Sequence, residues 1–90
     1  MGMDFEYDPL KSEANKSRHG IDFEEAKALW DDDDYAEIDL EREGESRYMV
    51  IGMIDGKHWS AICTDRQGKI RIISVRRSRS NEVKIYEENG

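Results

Sequence analysis

The 90-residue chain reads as an α+β domain: a mainly antiparallel sheet of four to five strands, with two N-terminal helices and one C-terminal helix. Three observations predict that class. Apolar residues recur at helical spacing between 9 and 31, they alternate from Tyr35 onward, and short glycine turns separate the alternating runs. Consecutive strands joined by short turns pair antiparallel, with the helices expected on one side of the sheet.

The elements follow in order. Phe5-Glu6-Tyr7 alternates as a short strand does. Asp8-Pro9 then supplies an N-cap and a first-turn proline, and Gly20 closes a first helix over about 9–19. Leu10 and Ala14 are its only plain apolar residues, so light packing is expected. Asp22 with Glu25 forms a capping-box pattern opening a second helix over about 22–31, whose inward residues are Phe23, Ala26, Leu29 and Trp30. Aspartates at its C-terminal end oppose the macrodipole, so 31–34 is expected to break into a loop. A strand over 35–40 leads to a polar turn around Glu43-Gly44-Glu45. Strands over 48–54 and 59–64 flank Asp55-Gly56, a dipeptide suited to tight hairpins, and Arg66-Gln67-Gly68 turns into a strand over 69–75. That last strand is the most apolar, which predicts a central position. A final helix over about 80–88 takes Ser78 or Ser80 as its cap and turns Val83 and Tyr86 inward. Met1-Gly2 ahead of Met3 reads as an expression remnant, which leaves 3–90 as a single domain.

Charged residues make up 39% and hydrophobic ones 37%, so the core is small and the stability margin narrow. No apolar run approaches the roughly 20 residues that cross a bilayer, and no basic-then-apolar leader is present. A cytoplasmic protein without membrane contact is the expectation. Cys63 stands alone in Ser-Ala-Ile-Cys-Thr, as a buried thiol does, and no disulfide framework exists. Charge is unevenly spread: residues 1–47 hold 16 acids against 6 Lys/Arg, and residues 48–90 hold 5 against 8. A basic region on a protein of net charge -7 needs explaining, and a solvated strand and helix surface is its plainest account.

Absences exclude several reaction classes. There is no glycine-rich phosphate loop, no cysteine pair and no His-Glu-x-x-His, so nucleotide hydrolysis, zinc and dinucleotide chemistry have nothing to rest on. The Asp31-Asp32-Asp33-Asp34 run lacks the glycine and distal glutamate of a calcium loop; a solvated loop or a dock for a basic partner fits it better. What remains suits metal-free phosphodiester cleavage, in which an RNA 2′-hydroxyl attacks its own phosphate and the enzyme supplies a base, an acid and cations. Lys16 and His19 share a flank of the first helix, and an imidazole is the side-chain type suited to proton transfer, although a surface histidine at a helix C-terminus is the commoner role. Arg71 shares its face with Ile73 and Val75 if alternation persists, and Arg76 and Arg77 then point to opposite faces. Glu82 is a candidate base whose more frequent role at that position is capping, and Tyr86 is more often a core residue with its hydroxyl at the rim. His58, after the hairpin turn, is expected exposed.

Phe5-Glu6-Tyr7-Asp8-Pro9, the stretch from Asn15-Lys16-Ser17-Arg18-His19-Gly20 through Ile21-Asp22-Phe23-Glu24-Glu25-Ala26, Gly52, and Arg71-Ile72-Ile73-Ser74-Val75-Arg76-Arg77 with Glu82 and Tyr86 together resemble the BrnT family of toxins from bacterial type II toxin–antitoxin pairs. The likeness covers about 4 to 88. Arg18 stands where that family commonly has lysine, and Ser78 where it commonly has alanine. The resemblance implies a RelE-like fold, an endoribonuclease that inhibits translation, and neutralisation by a cognate antitoxin whose own domain binds operator DNA in the joint complex.

The expected reading is therefore an endoribonuclease toxin acting on RNA without metal or cofactor. His19 is the candidate acid or base, Arg71, Arg76 and Arg77 hold phosphate and transition-state charge, Lys16 assists, and Glu82 orients an arginine or serves as base. Arg66, Lys69, Arg79 and Tyr86 are the candidate RNA-binding residues. The rival reading is a non-catalytic module whose basic surface receives an acidic antitoxin segment or operator DNA, and a third is a housekeeping domain whose charges only confer solubility.

Overall fold

A computed structural model of the chain describes residues 3–40, 44 and 46–89. Met1-Gly2 and most of the turn expected around Glu43-Gly44-Glu45 lie outside the described residues. The elements are β1 (Phe5–Glu6), α1 (Pro9–His19), α2 (Phe23–Ala26) running on into a 3₁₀ turn (Lys27–Asp31), β2 (Ala36–Asp39), β3 (Arg47–Ile54), β4 (Lys57–Arg66), β5 (Lys69–Arg77) and α3 (Ser80–Asn89).

The five strands form one sheet in the order β1-β5-β4-β3-β2. From β2 to β5 every neighbour is antiparallel, as tight hairpins require. Asp55 and Gln67 adopt φ near +50° ahead of Gly56 and Gly68 near +80°, so both hairpins use the turn whose two central residues are left-handed. β1, however, lies parallel to β5, pairing Phe5 with Ile70 and Glu6 with Arg71. The sheet is therefore mixed, a correction to the antiparallel expectation, and β4 rather than β5 is its middle strand.

Helices cover both faces, not one. Val50 is buried with Phe23, Ala26 and Leu29, whereas its neighbours Met49 and Ile51 are buried in a second cluster that packs against Tyr86 of α3. Because successive strand residues point to opposite faces, α2 lies on an inner face and α3 on an outer one. Alternation along β5 breaks at a bulge: Ile62 pairs with Ser74 but Cys63 pairs with Ile72, leaving Ile73 extra. Ile72 and Val75 both enter the inner core as a result, and Val75 leaves the face of Arg71.

The expected second helix is a single α-turn that tightens into a 3₁₀ turn. Three residues per turn align Ala26, Leu29 and Asp32 toward β3. Leu29 and Ala26 are fully buried, and Asp32 accepts the Met53 N–H at 2.8 Å and the Tyr86 hydroxyl at 2.7 Å. Gly52 permits this approach, since a Cβ there would meet Leu29 Cδ2 at 3.1 Å and its carbonyl oxygen at 3.2 Å. Asp32 is thus no part of a solvated acidic loop: it bridges β3 to α3.

α1 packs through polar contacts, because Leu10 is 74% exposed while Ser12 and Asn15 are buried. Ser12 accepts the Phe23 N–H at 2.9 Å. Asn15 donates to the carbonyls of Ile21 at 2.8 Å and Val75 at 2.9 Å, and accepts the Val75 N–H at 3.2 Å. Its amide substitutes for the strand neighbour that β5 lacks beyond β1. Asn15→Ala leaves those buried backbone groups without partners, so the urea-unfolding midpoint should fall by the equivalent of about 2 kcal/mol.

Candidate functional site

α3 lies across one end of the outer face. Arg76 donates to Glu82 twice, Nη1 to Oε1 at 2.8 Å and Nη2 to Oε2 at 2.7 Å, and Glu82 Oε1 also accepts the Ser60 hydroxyl at 2.8 Å and the Arg79 N–H at 3.0 Å. Ser78 bonds to Ser60 at 2.7 Å, so Glu82 reaching back to Arg79, rather than either expected serine, caps this helix. Burial alone raises the Glu82 carboxyl, but these donors outweigh it and hold it at about 2.

A row of polar side chains marks the other end of that face. Residues paired across neighbouring strands project to the same side, and the register runs Glu6–Arg71–Thr64–Arg47 through β1, β5, β4 and β3. Arg71 donates to Glu6 at 2.7 Å, and Thr64 donates to the Ser46 carbonyl at 2.6 Å. Beside this row lies a cavity of about 290 Å³ lined by Lys11, Ser46, Arg47, Thr64, Arg66, Arg71 and Ile73. A second, of about 280 Å³, shares Lys11 and Ile73 and adds Ala14, Asn15, Arg18, Phe23 and Ser74. Together they make a groove between α1 and the outer face, lined by Lys11, Arg18, Arg47, Arg66 and Arg71 and, among the described residues, by no carboxylate. In a chain of net charge -7 that concentration of cations favours an anion such as a phosphate backbone.

The residues singled out from the sequence are distributed unevenly around this groove. Arg71 and Arg66 line it. Lys16 faces α2 instead, bonded to Glu25 at 2.7 Å, and His19, one helical turn on, is exposed with no partner among the described residues. Arg76 and Glu82 are engaged with each other under α3. Arg77 points to the opposite face, as the alternation predicted, stacking over Trp59 at 5.5 Å and donating to the His58 carbonyl at 3.3 Å. Lys69 and Arg79 are exposed at a hairpin turn and at the start of α3. Tyr86 is half-buried in the second cluster with its hydroxyl on Asp32, which pushes that hydroxyl up to about 12. His58 is half-buried rather than exposed, set edge-on against Tyr86 at 5.1 Å. Neither cavity is lined by His19, Lys16, Arg76, Arg77 or Glu82.

Lys11, Arg18 and Arg47 escaped the sequence reading. The spacing of Lys11, Ala14 and Arg18 on one helical stripe was available as a signal, but the side it faces depends on where Asn15 anchors α1. Cys63 is fully buried, and that burial pushes its thiol up to about 12, against the thiolate a nucleophile needs. Among the described residues no three His, Cys, Asp or Glu side chains converge to hold a metal ion, and no helix is long and apolar enough to cross a membrane.

No curated protein matches the chain. Residues 7–82 match the family described as the ribonuclease toxin, BrnT, of type II toxin–antitoxin systems. That stretch begins beside β1, takes in every strand from β2 to β5 and both cavities' lining residues, and ends at the carboxylate that clamps α3. With most of its 90 residues so matched, the chain belongs to the BrnT family of type II toxin–antitoxin ribonuclease toxins.

Proposed function

We propose that this chain is an endoribonuclease of RelE-like fold that cuts RNA without metal in the cytoplasm, thereby inhibits translation, and is neutralised by a cognate antitoxin that also carries operator-DNA binding. The observation that carries this reading is the groove lined by five cations and, among the described residues, no carboxylate on an otherwise acidic protein. Arg71 and Arg66 bind the scissile phosphate and stabilise the charge that builds on it, while Lys11 and Arg18 hold the flanking backbone. His19 lines neither cavity but follows the groove's Arg18 at the exposed end of α1, and it is assigned the acid that protonates the departing 5′-oxygen. Arg76 and Glu82 are assigned to holding α3 in place, and Lys16 to joining α1 to α2.

Purified chain incubated with RNA in excess chelator should yield fragments with 2′,3′-cyclic phosphate and 5′-hydroxyl ends. Fragments appearing only after magnesium is added would remove the metal-free mechanism, and intact RNA under both conditions would remove the nuclease. One observation favours a second reading, a binding module without catalysis: Arg71 already has a carboxylate partner in Glu6. That reading predicts retention of RNA or of an acidic antitoxin segment with no cleavage.

A further inference from the structure

We propose that Glu6, which lines neither cavity but is bonded to Arg71 at the groove's margin, is the general base, a role that rests on the proposed nuclease reading. Its placement carries the inference. β1 is only two residues long, yet its parallel pairing sets Glu6 directly opposite Arg71 on the outer face. The strand is anchored at the two residues just ahead of that position: Ile70 donates its N–H to the Asp4 carbonyl at 2.8 Å, and Phe5 packs edge-on against Trp30 with ring centroids 4.9 Å apart. Glu6 therefore sits on a fixed element rather than a loose terminus, which a proton acceptor needs.

Two features separate it from the other carboxylates. Glu6 Oε2 accepts Arg71 Nη1 at 2.7 Å, and Oε1 has no partner among the described residues. Both side chains keep some exposure, 27% for Glu6 and 30% for Arg71, so a substrate can reach the pair. Glu82, by contrast, has both oxygens engaged and is buried under α3. Glu24 and Glu25 are committed to Tyr7, Lys27 and Lys16, and Asp65 accepts the Tyr48 hydroxyl. Glu6 is thus, among the described residues, a carboxylate joined directly to a groove arginine with one oxygen left to accept a proton.

In the step assigned to it, Glu6 takes the proton of the RNA 2′-hydroxyl. The 2′-oxygen forms its bond to phosphorus as the bond to the 5′-oxygen breaks. The departing oxygen is protonated by the acid, the role given above to His19, and solvent carries the proton from Glu6 back to that acid. Arg71 touches both base and phosphate, so it offsets charge on each as the proton moves.

The test compares the wild-type chain with Glu6→Gln and Glu6→Asp, using single-turnover cleavage of a short RNA and binding of the same oligonucleotide with 2′-deoxy sugars, which cannot be cut. Glu6→Gln should lose about 10²-fold or more in cleavage rate, with binding of the deoxy strand unchanged or tighter, and Glu6→Asp should recover part of the rate. A carboxylate that merely neutralises Arg71 would leave cleavage undiminished: Glu6→Gln cuts at least as fast as wild type, which overturns the proposal while leaving the nuclease reading intact. Absence of cleavage by the wild-type chain overturns both. Circular dichroism melting of each variant establishes that the comparison is between folded proteins.

Discussion

Glu82→Ala is expected to destabilise the domain by about 3–5 kcal/mol, the range for breaking a buried ion pair by removing one partner. The loss is large because Glu82 satisfies four donors on three elements: two from Arg76 on β5, one from Ser60 on β4, and the Arg79 N–H at the start of α3. Alanine would strand the Arg76 guanidinium, whose side chain is only 23% exposed, beneath a helix that no longer has a cap. Against a total of about 5–15 kcal/mol for a small domain, this removes a large share. The same clamp sets an acid limit. With the folded carboxyl at about 2 against an ordinary 4.5, its contribution is complete above about pH 4.5 and is lost as pH falls toward 2. The shift corresponds to about 3 kcal/mol. Urea midpoints of the wild-type chain should therefore fall across that window, and those of Glu82→Gln should fall less. Equal slopes for the two would place the acid sensitivity elsewhere.

Arg71→Ala should lower single-turnover RNA cleavage by about 10²–10³-fold, as loss of a donor to developing charge does. Its effect on folding should stay below about 1 kcal/mol, because the pair with Glu6 is partly exposed and screened. Arg71→Lys should restore charge without the guanidinium's planar geometry and so recover only part of the rate. Binding of a non-cleavable strand should weaken, and its dependence on salt should flatten by about 0.7 in log–log slope for each phosphate the variant fails to neutralise. Cleavage by Arg71→Ala at the wild-type rate would detach the groove from catalysis. Lys69→Ala, at an exposed turn outside both cavities, should change little.

Local chemistry was legible in the sequence. Asp8 and Asp22 cap as their spacing implied, the capping box with Glu25 is complete, and both hairpins turn at the expected glycines. The sequence also placed Arg76 and Arg77 on opposite faces, since that needs only alternation over two residues. What failed was set by long-range partners. Glu6 meets Arg71 only because two distant strands run parallel, and nothing near either residue announces it. Arg71 and Val75 were expected on one face, which held until a bulge that depends on how β4 and β5 are paired. With Leu10 and Ala14 as its only plain apolar residues α1 is expected to pack lightly, whereas an asparagine amide anchors it, a use of polarity that an apolar count does not register. The candidate groove is half visible for the same reason: Arg66 and Arg71 stand out within a basic stretch, while Lys11, Arg18 and Arg47 gain meaning only once α1 is docked and the strands are paired.

The supernumerary Ile73 governs how this strand tolerates change. With it, one ribbon sends Arg71 outward, Ile72 and Val75 inward and Arg76 outward again. Were that position drawn into regular pairing instead, Arg71 and Val75 would share a face, offering either a guanidinium to the hydrophobic interior or a valine to the solvent. The kink at residue 73, rather than the chemistry of its side chain, is therefore what lets one strand serve two surfaces with Arg71 and Val75.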